Sequence, residues 1–395
     1  MEWLNLLLKA AGMFFLNPLF YLGIFYAVYL GYIRVKRERK DFTVRVQDGW
    51  LETRIYLKSG FIYGLLLSAV LFIPGVTVPL PFLLMLSVVT LLAGVLFKPG
   101  LLSPAYTAGI SLFLCLALLY FSPGFLVIDR LLSGIEPGWF SGIAFLSGIL
   151  LMAEGLLIQR NASRKTSPKL IRSRRGLNVG IHESKRLWMV PLLLLVPADV
   201  LPVPFDFWPF VPFAGGKLTM LVFPYWIGFS GQVRSVHPEA GFQAVGKKVF
   251  YLGAGVTALG IAGFWLPVFT AAGAGLAVIG RLTISVIHYY RDRGQVYYFS
   301  KNEPGIVILD IIPGTPADKM NLKIGEVIRT VNGVKIHNER EFYEALQRNR
   351  AYCKLEVIDD NGENRFVNRA LYEGEHHELG IITFQPEYVQ EQGAS

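Results

Sequence analysis

Two short stretches carry residues whose types and spacing could support proteolytic chemistry. His182 and Glu183 begin a stretch close to H-E-x-x-H, in which two histidines bind zinc and the glutamate acts as base, but Arg186 occupies the second histidine position. The stretch "GFSG" places Ser230 next to glycine, as in serine proteases that act within membranes, and His288 is a candidate base. The zinc motif is therefore incomplete, whereas the serine pattern is too short to decide for or against catalysis.

Three acidic residues near apolar stretches are candidates for aspartyl or proton chemistry. Asp199 and Asp206 lie in a proline-rich segment without a G-x-G-D pattern. Glu154 lies deeper in an apolar stretch, where we expect it to snorkel to the interface or to pair with Arg160. Because a phosphate-binding glycine loop is also missing from the sequence, we predict no catalytic centre, no cofactor and no metal.

The composition is that of a polytopic membrane protein. Of 395 residues, 53% are hydrophobic and only 17% are charged, and the mean hydropathy is +0.43. The net charge of +9 lies mostly in loops between apolar stretches, so we assign it to membrane topology and not to nucleic-acid binding. Cys115 lies within an apolar stretch and Cys353 lies in the polar tail, which predicts neither a disulfide nor a metal cluster.

Apolar windows long enough to cross a bilayer predict about nine helical spans. They cover residues 13–33, 59–77, 80–97, 105–121, 139–158, 188–204, 213–231, 249–266 and 268–288. Five prolines between residues 197 and 212 preclude one continuous helix, so we expect a broken or re-entrant element there. If this element or the N-terminal stretch does not cross the bilayer, the count falls to eight or seven.

Basic residues are concentrated in alternate loops. The two richest groups are Arg34, Lys36, Arg37, Arg39 and Lys40, and Arg160, Arg164, Lys165, Lys169, Arg172, Arg174 and Arg175. Because lysine and arginine are retained on the cytoplasmic side, these loops and the tail from Arg291 onward are predicted to be cytoplasmic. The same two groups are candidates for binding anionic lipid headgroups or an acidic partner.

The tail has the local signals of a small soluble domain. Asn332 and Gly333 predict a hairpin between two short strands. Asn338 with Glu341 predicts a capping box at the start of a helix, and Thr315 predicts the N-cap of a shorter one. The predicted fold class is a polytopic α-helical membrane domain, residues 1–290, followed by a small β-rich (α+β) domain, residues 296–386, and a short tail, residues 387–395.

The stretch "IIPGTPADKMNLKIGEVIRTVNGVKI", residues 311–336, resembles the core of bacterial PDZ domains. This resemblance implies a domain that binds an extended peptide by strand addition, with main-chain N–H groups around a terminal carboxylate. The residues that it implies for the peptide site are Leu379, Gly380, Ile381 and Ile382 in the loop and strand, and Phe342, Ala345 and Leu346 on the facing helix. Pro304, Gly305 and Ile306 are the alternative loop.

A motif-poor polytopic region followed by one C-terminal PDZ domain resembles the MinJ family of Firmicute cell-division topology proteins, as do "LLLKAAGMFFLNPLFY" and "YYFSKNEPGIVILDIIPGTPA". The resemblance implies a bridge between the polar scaffold DivIVA and the membrane-bound ATPase MinD, contacts with other divisome components, and location at septum and poles. We therefore expect a non-enzymatic membrane adaptor. The alternative is an intramembrane protease, or a regulator of one, whose PDZ domain selects substrates.

Overall fold

The computed structural model of the protein describes residues 2–121, 138–173, 176–202, 217–300, 304–349, 351–359, 361–371 and 379–384. Its described residues between 2 and 293 form a membrane domain in which helices surround a β-hairpin. Its helices are α1 (Glu2–Leu16), α2 (Pro18–Phe42), α3 (Leu51–Lys58), α4 (Phe61–Phe72), α5 (Leu80–Val95), α6 (Pro104–Phe121), α7 (Trp139–Leu157), α8 (Pro238–Ala262) and α9 (Val268–Arg293).

Among the described residues, four helical segments are long and apolar enough to cross a membrane. They are Pro18–Phe42, Leu51–Phe72, Trp139–Ala162 and Val268–Arg293. The helices predicted near residues 80–97, 105–121 and 249–266 are also present, as α5, α6 and the second half of α8. The N-terminal stretch is divided at Asn17, whose side chain accepts the N–H of Leu19 at 3.0 Å and so starts α2.

The sixth and seventh predicted helices, residues 188–204 and 213–231, are wrong, because the chain forms strands there. Strands β1 (Ser167–Arg172), β2 (Asn178–Pro202) and β3 (Lys217–Val233) make an antiparallel sheet in the order β1-β2-β3. Pro191 pairs with Pro224 across the hairpin, and the register shifts between Pro197 and Leu201. Prolines within both apolar runs remove helical hydrogen bonds, and the β-branched and aromatic residues beside them favour a strand.

The hairpin fills the centre of the membrane domain. Trp188 and Tyr225 are fully buried. Trp226 Nε1 donates to the carbonyl of Leu19 at 3.1 Å, and the Tyr225 hydroxyl lies 2.6 Å from that of Thr107. A Cβ atom on Gly60 would lie 2.0 Å from the β2 backbone, so helix and strand approach closely at this glycine. The hairpin thus joins α2, α4 and α6 into one core.

The described residues of the C-terminal domain, between 304 and 384, form two small sheets and two helices. Its elements are β4 (Ile306–Val307), β5 (Asp310–Ile311), α10 (Pro316–Lys319), β6 (Val327–Val331), β7 (Val334–Lys335), α11 (Glu339–Gln347), β8 (Tyr352–Ile358), β9 (Asn364–Ala370) and β10 (Ile381–Ile382). One sheet has the order β4-β6-β8-β9 with β7 beside β6, and β10 pairs with β5 in the other.

The turn and capping signals of this domain are confirmed with one exception. Asn332 and Gly333 both have positive φ between β6 and β7. Asn338 accepts from the Glu341 N–H at 2.8 Å and so caps α11, whereas the Glu341 carboxylate accepts from the Asn338 side-chain amide at 2.8 Å in place of the backbone N–H of a full capping box. Thr315 is the N-cap residue of α10, but its hydroxyl donates back to a carbonyl in the preceding turn instead of capping the helix.

Candidate peptide-binding site and its contact with the membrane domain

The domain core brings together most side chains predicted for the peptide site. Leu379 before β10 and Phe342, Ala345 and Leu346 on α11 are buried in one apolar cluster. Ile381 is half-buried against the same cluster. These side chains therefore connect strand β10 to helix α11, and any peptide between them would lie against a packed apolar surface.

One edge of strand β10 is not paired with any described strand, and a further strand can form main-chain hydrogen bonds there. The carbonyls of Gly380 and Ile382 accept from Ile312 and Leu309, both at 2.8 Å, on the side of β5. Because main-chain groups of successive residues point to opposite edges of a strand, those of Ile381 point away from β5. Among the described strands β10 pairs with β5 alone, so the edge carrying the Ile381 N–H is available for strand addition.

Gly380 gives this loop its shape. Its φ of 84° lies in the left-handed region, and a Cβ atom there would lie 2.1 Å from the Thr315 hydroxyl oxygen. Substitution of Gly380 would therefore disturb the domain itself. In the alternative loop, Gly305 has φ 142° and Ile306 pairs with Ile328 at the edge of the larger sheet.

Ile382 faces away from the other predicted site residues. Its side chain is buried with Val46, Phe299 and Leu309 in a cluster between the membrane domain and the C-terminal domain. Successive side chains of a strand point to opposite faces, which explains why Ile381 and Ile382 separate. We call this cluster, together with His182, the docking interface.

His182 forms the polar contact of the docking interface. Its ring is fully buried and stacks on Phe299 with centroids 5.3 Å apart. The Leu309 carbonyl, 2.9 Å from Nε2, can only accept, so Nε2 carries the proton and Nδ1 accepts from the Thr166 hydroxyl at 2.8 Å. Burial lowers the pKa of His182 to about 4, and the ring is neutral at pH 7. From the sequence alone, His182 is only a candidate zinc ligand.

Glu183 is held by cations on the opposite face of β2. Arg37 forms an ion pair with it, and Lys185 and Lys169 approach its carboxylate at 3.4 and 3.6 Å. Burial alone would raise the pKa of Glu183, but Arg37 and Lys185 lower it to about 2. Since His182 and Glu183 point to opposite faces and both have structural partners, this pair does not form the beginning of a zinc site.

Part of the first basic group is buried, which corrects its assignment to lipid headgroups. Arg34 lies 2.7 Å from Glu52 and 3.0 Å from Glu38, and Arg186 lies 3.2 Å from the same Glu52. Arg34 and Arg37 therefore join α2 to its neighbours. Exposed members of the two groups are Lys36, Arg39, Lys40, Arg160, Arg164, Lys165 and Arg172, with Lys169 half-buried. Arg174 and Arg175 lie outside the described residues.

Glu154 is paired, but its partner is not Arg160. The Arg281 guanidinium on α9 donates to the Glu154 carboxylate on α7 at 2.9 and 3.0 Å, and Ser103 donates to the same carboxylate at 2.5 Å. Both members of the pair are almost fully buried. Arg281 is a lone charge within an apolar run, a sequence signal that indicates a buried partner.

Ser230 and His288 line the same cavity, of about 450 Å³, between the end of β3 and the last turns of α9. His288 Nε2 lies 3.1 Å from the Gln232 carbonyl, so it donates there. Ser230 and His288, both in the described part of the chain, make no hydrogen bond to each other. Asp199 lies in β2, and Asp206 falls outside the described ranges.

Comparison with known proteins agrees with this architecture. Residues 297–357 match the family model described as PDZ domain. The chain is 41% identical over 396 residues to the cell division topological determinant MinJ of Bacillus subtilis (strain 168), covering 100% of this chain and 99% of that protein. It is 24% identical over 383 residues to the probable cell division topological determinant MinJ of Lacticaseibacillus paracasei, covering 94% of this chain and 97% of the relative.

The fold defines a membrane protein that carries a C-terminal PDZ domain, in which β10 pairs with β5 alone among the described strands. The full-length identity then decides the family. The chain belongs to the MinJ family.

Proposed function

We propose that this protein is a non-enzymatic membrane adaptor in division-site selection, whose PDZ domain recruits partners to the membrane. The relatives named as cell division topological determinants support the role in division. The observation that carries the adaptor mechanism is the open edge of β10 on a PDZ domain that is docked to the membrane domain through His182. A binding strand held in this way presents partners at a set position relative to the membrane.

The proposed partners follow from the family resemblance: a DivIVA-like scaffold, a MinD-like ATPase and other divisome components. The proposed topology is multi-pass with the PDZ domain in the cytoplasm, concentrated at septum and poles. The proposed peptide site comprises the β10 edge at Ile381, the loop at Leu379 and Gly380, and the α11 face at Phe342. Ile382 lies outside this site, because its carbonyl accepts from Leu309 on the β5 side and its side chain belongs to the docking interface.

The test replaces Ile381 in the full-length protein. Ile381→Pro removes the N–H that points to the open edge, whereas Ile381→Val keeps it and serves as the matched control. Losing one main-chain hydrogen bond and adding a clash with the incoming strand should weaken capture of purified DivIVA-like scaffold or MinD-like ATPase by roughly tenfold. If Ile381→Pro captures both partners as well as Ile381→Val does, the β10 edge is not the recruitment site.

Proteolysis is the second candidate function, because Ser230 and His288 share one cavity. Their separate hydrogen-bond arrangements favour the adaptor. Ser230→Ala decides between the two functions in cells that depend on this protein for division placement. An adaptor should place septa normally with Ser230→Ala and misplace them with Ile381→Pro, whereas a serine protease should misplace them with Ser230→Ala.

A further inference from the structure

The cavity that Ser230 and His288 share is lined by more cationic than anionic groups. Three arginines, Arg234, Arg281 and Arg293, contribute to its wall together with one carboxylate, that of Asp292. Its volume, about 450 Å³, is large enough for a phosphate group and the glycerol that carries it. No part of the peptide site lies here.

The carboxylates near this cavity already have partners. Asp292 accepts from the backbone N–H groups of Arg234 and Ser235 at 3.0 and 3.1 Å, and from the Ser235 hydroxyl at 2.9 Å. Glu154 is held by Arg281 and Ser103. Three arginines, counted against the carboxylates of Asp292 and Glu154, leave one net positive charge at the cavity.

Two of the arginines have guanidinium groups that can turn toward a ligand. Arg234 has its guanidinium in one hydrogen bond, to Gln232 at 3.1 Å, and its Nε lies 4.0 Å from Asp292. Arg293 is exposed, and its guanidinium lies over the Tyr289 ring at 3.9 Å. An arginine fork matches the oxygens of a phosphate in geometry as well as charge. Arg281 is fixed by Glu154, which offsets its charge.

The surroundings of the cavity distinguish a lipid from a soluble anion. Helix α9 is long and apolar enough to cross a membrane, and its Leu282 and Val286 are exposed by 54% and 43% just before the cavity. Phe229 and Val245 add apolar surface to its wall. A molecule with a phosphate at one end and hydrocarbon at the other can contact both the arginines of the cavity and the apolar surface of α9 beside it.

We propose that this cavity binds the phosphate headgroup of an anionic phospholipid, with Arg234 and Arg293 as its ligands and the acyl chains along Leu282 and Val286 of α9. The site is separate from the exposed basic residues of α2, such as Lys36 and Lys40. It goes beyond the proposed recruitment of protein partners, since it concerns the membrane domain.

The experiment measures lipid retention by the full-length protein with native mass spectrometry after exchange into micelles containing phosphatidylglycerol or phosphatidylcholine. Arg234→Gln/Arg293→Gln should lower phosphatidylglycerol retention about tenfold, to the level of phosphatidylcholine. Lys36→Gln/Lys40→Gln, which removes the same charge from an exposed helix, should retain phosphatidylglycerol as the unchanged protein does. Millimolar inorganic phosphate should not displace the lipid.

Three results would overturn the proposal: equal retention of the two lipids by the unchanged protein, unchanged retention by the double arginine variant, or full displacement by inorganic phosphate, which would identify a site for a soluble anion. Size-exclusion chromatography checks folding. If the double variant aggregates, the exposed Arg293→Gln decides alone, with Arg293→Lys as its charge-preserving control.

Discussion

Lowering the pH should release the PDZ domain from the membrane domain through His182. Docked, the ring is neutral with a pKa of about 4, and it sits between the Leu309 carbonyl and the Thr166 hydroxyl. Undocked, it returns to an ordinary pKa near 6.5 and takes up a proton readily. The contribution of His182 to docking is therefore complete above pH 6.5 and is lost as the pH falls toward 4.

The magnitude follows from these two pKa values. At pH 5 the undocked ring is almost entirely protonated and the docked ring is almost entirely neutral. Taking the pH from 7 to 5 therefore weakens docking by about 2 kcal/mol, which is roughly a 20-fold change in the docking equilibrium. A change of this size can be detected by measuring the fractions of docked and undocked protein.

The titration of Asp310 favours docking at low pH, against the effect of His182, so Asp310 has to be replaced before the His182 effect is measured. Burial, with a further contribution from Glu38 of the membrane domain, raises the pKa of Asp310 to about 8. Its docked carboxyl keeps a proton between pH 4 and 8, so its contribution to docking is complete below about pH 4 and falls as the pH rises through 8. The two groups shift docking in opposite directions, and Asp310→Asn isolates the response of His182.

The assay is a distance measurement between spin labels in the full-length Asp310→Asn protein. Labels are placed on exposed residues of the two domains, Lys36 and Glu344, after replacement of the buried Cys115 and Cys353 by alanine. We expect one narrow distance distribution at pH 7 and a second, longer population at pH 5. His182→Asn added to Asp310→Asn should abolish the response to pH. A distribution that is the same at both pH values in Asp310→Asn would refute the reasoning.

Two further variants test packing that the structure makes explicit. Gly180→Leu should undock the PDZ domain at every pH in the same spin-label assay, because a Cβ atom at Gly180 would lie 2.6 Å from the Leu309 side chain. Gly12→Leu is the control and should have no effect, because a Cβ atom at Gly12 would have nothing within 4 Å. Glu154→Gln leaves Arg281 buried without its counter-charge, and should destabilise the membrane domain by roughly 3–5 kcal/mol, measured as a lower Tm in detergent. Glu154→Leu/Arg281→Met should recover at least half of that loss, and an unchanged Tm in Glu154→Gln would contradict the inferred pair.

Local chemistry made the PDZ domain the most predictable part of the chain. Asn332 with Gly333, and Asn338 with Glu341, act within a few residues: the first pair forms the predicted turn, and Asn338 caps α11 by accepting the Glu341 N–H. The orientation of Ile382 toward the membrane domain was not predictable, because alternation along a strand does not say which face another domain covers.

The β-hairpin could not be predicted from the sequence, for a physical reason. Strands β2 and β3 are covered by helices on both faces, so their apolar residues run on without alternation and match a spanning helix equally well. The partner of Glu154 was missed for a related reason. Arg160 is six residues away in sequence, whereas Arg281 reaches Glu154 only once α7 and α9 are packed.

The central hairpin also determines the order in which this chain can be completed. Trp226 donates to Leu19, which is 207 positions earlier, and many such distant contacts slow folding. At bacterial synthesis rates, roughly 10–40 seconds separate the two residues leaving the ribosome. During that interval the early helices can enter the bilayer, but the hairpin around which they pack in the complete protein has not yet been synthesised. Insertion and final assembly are therefore separate events, and a chain that stops before β3 is left with its centre unfilled.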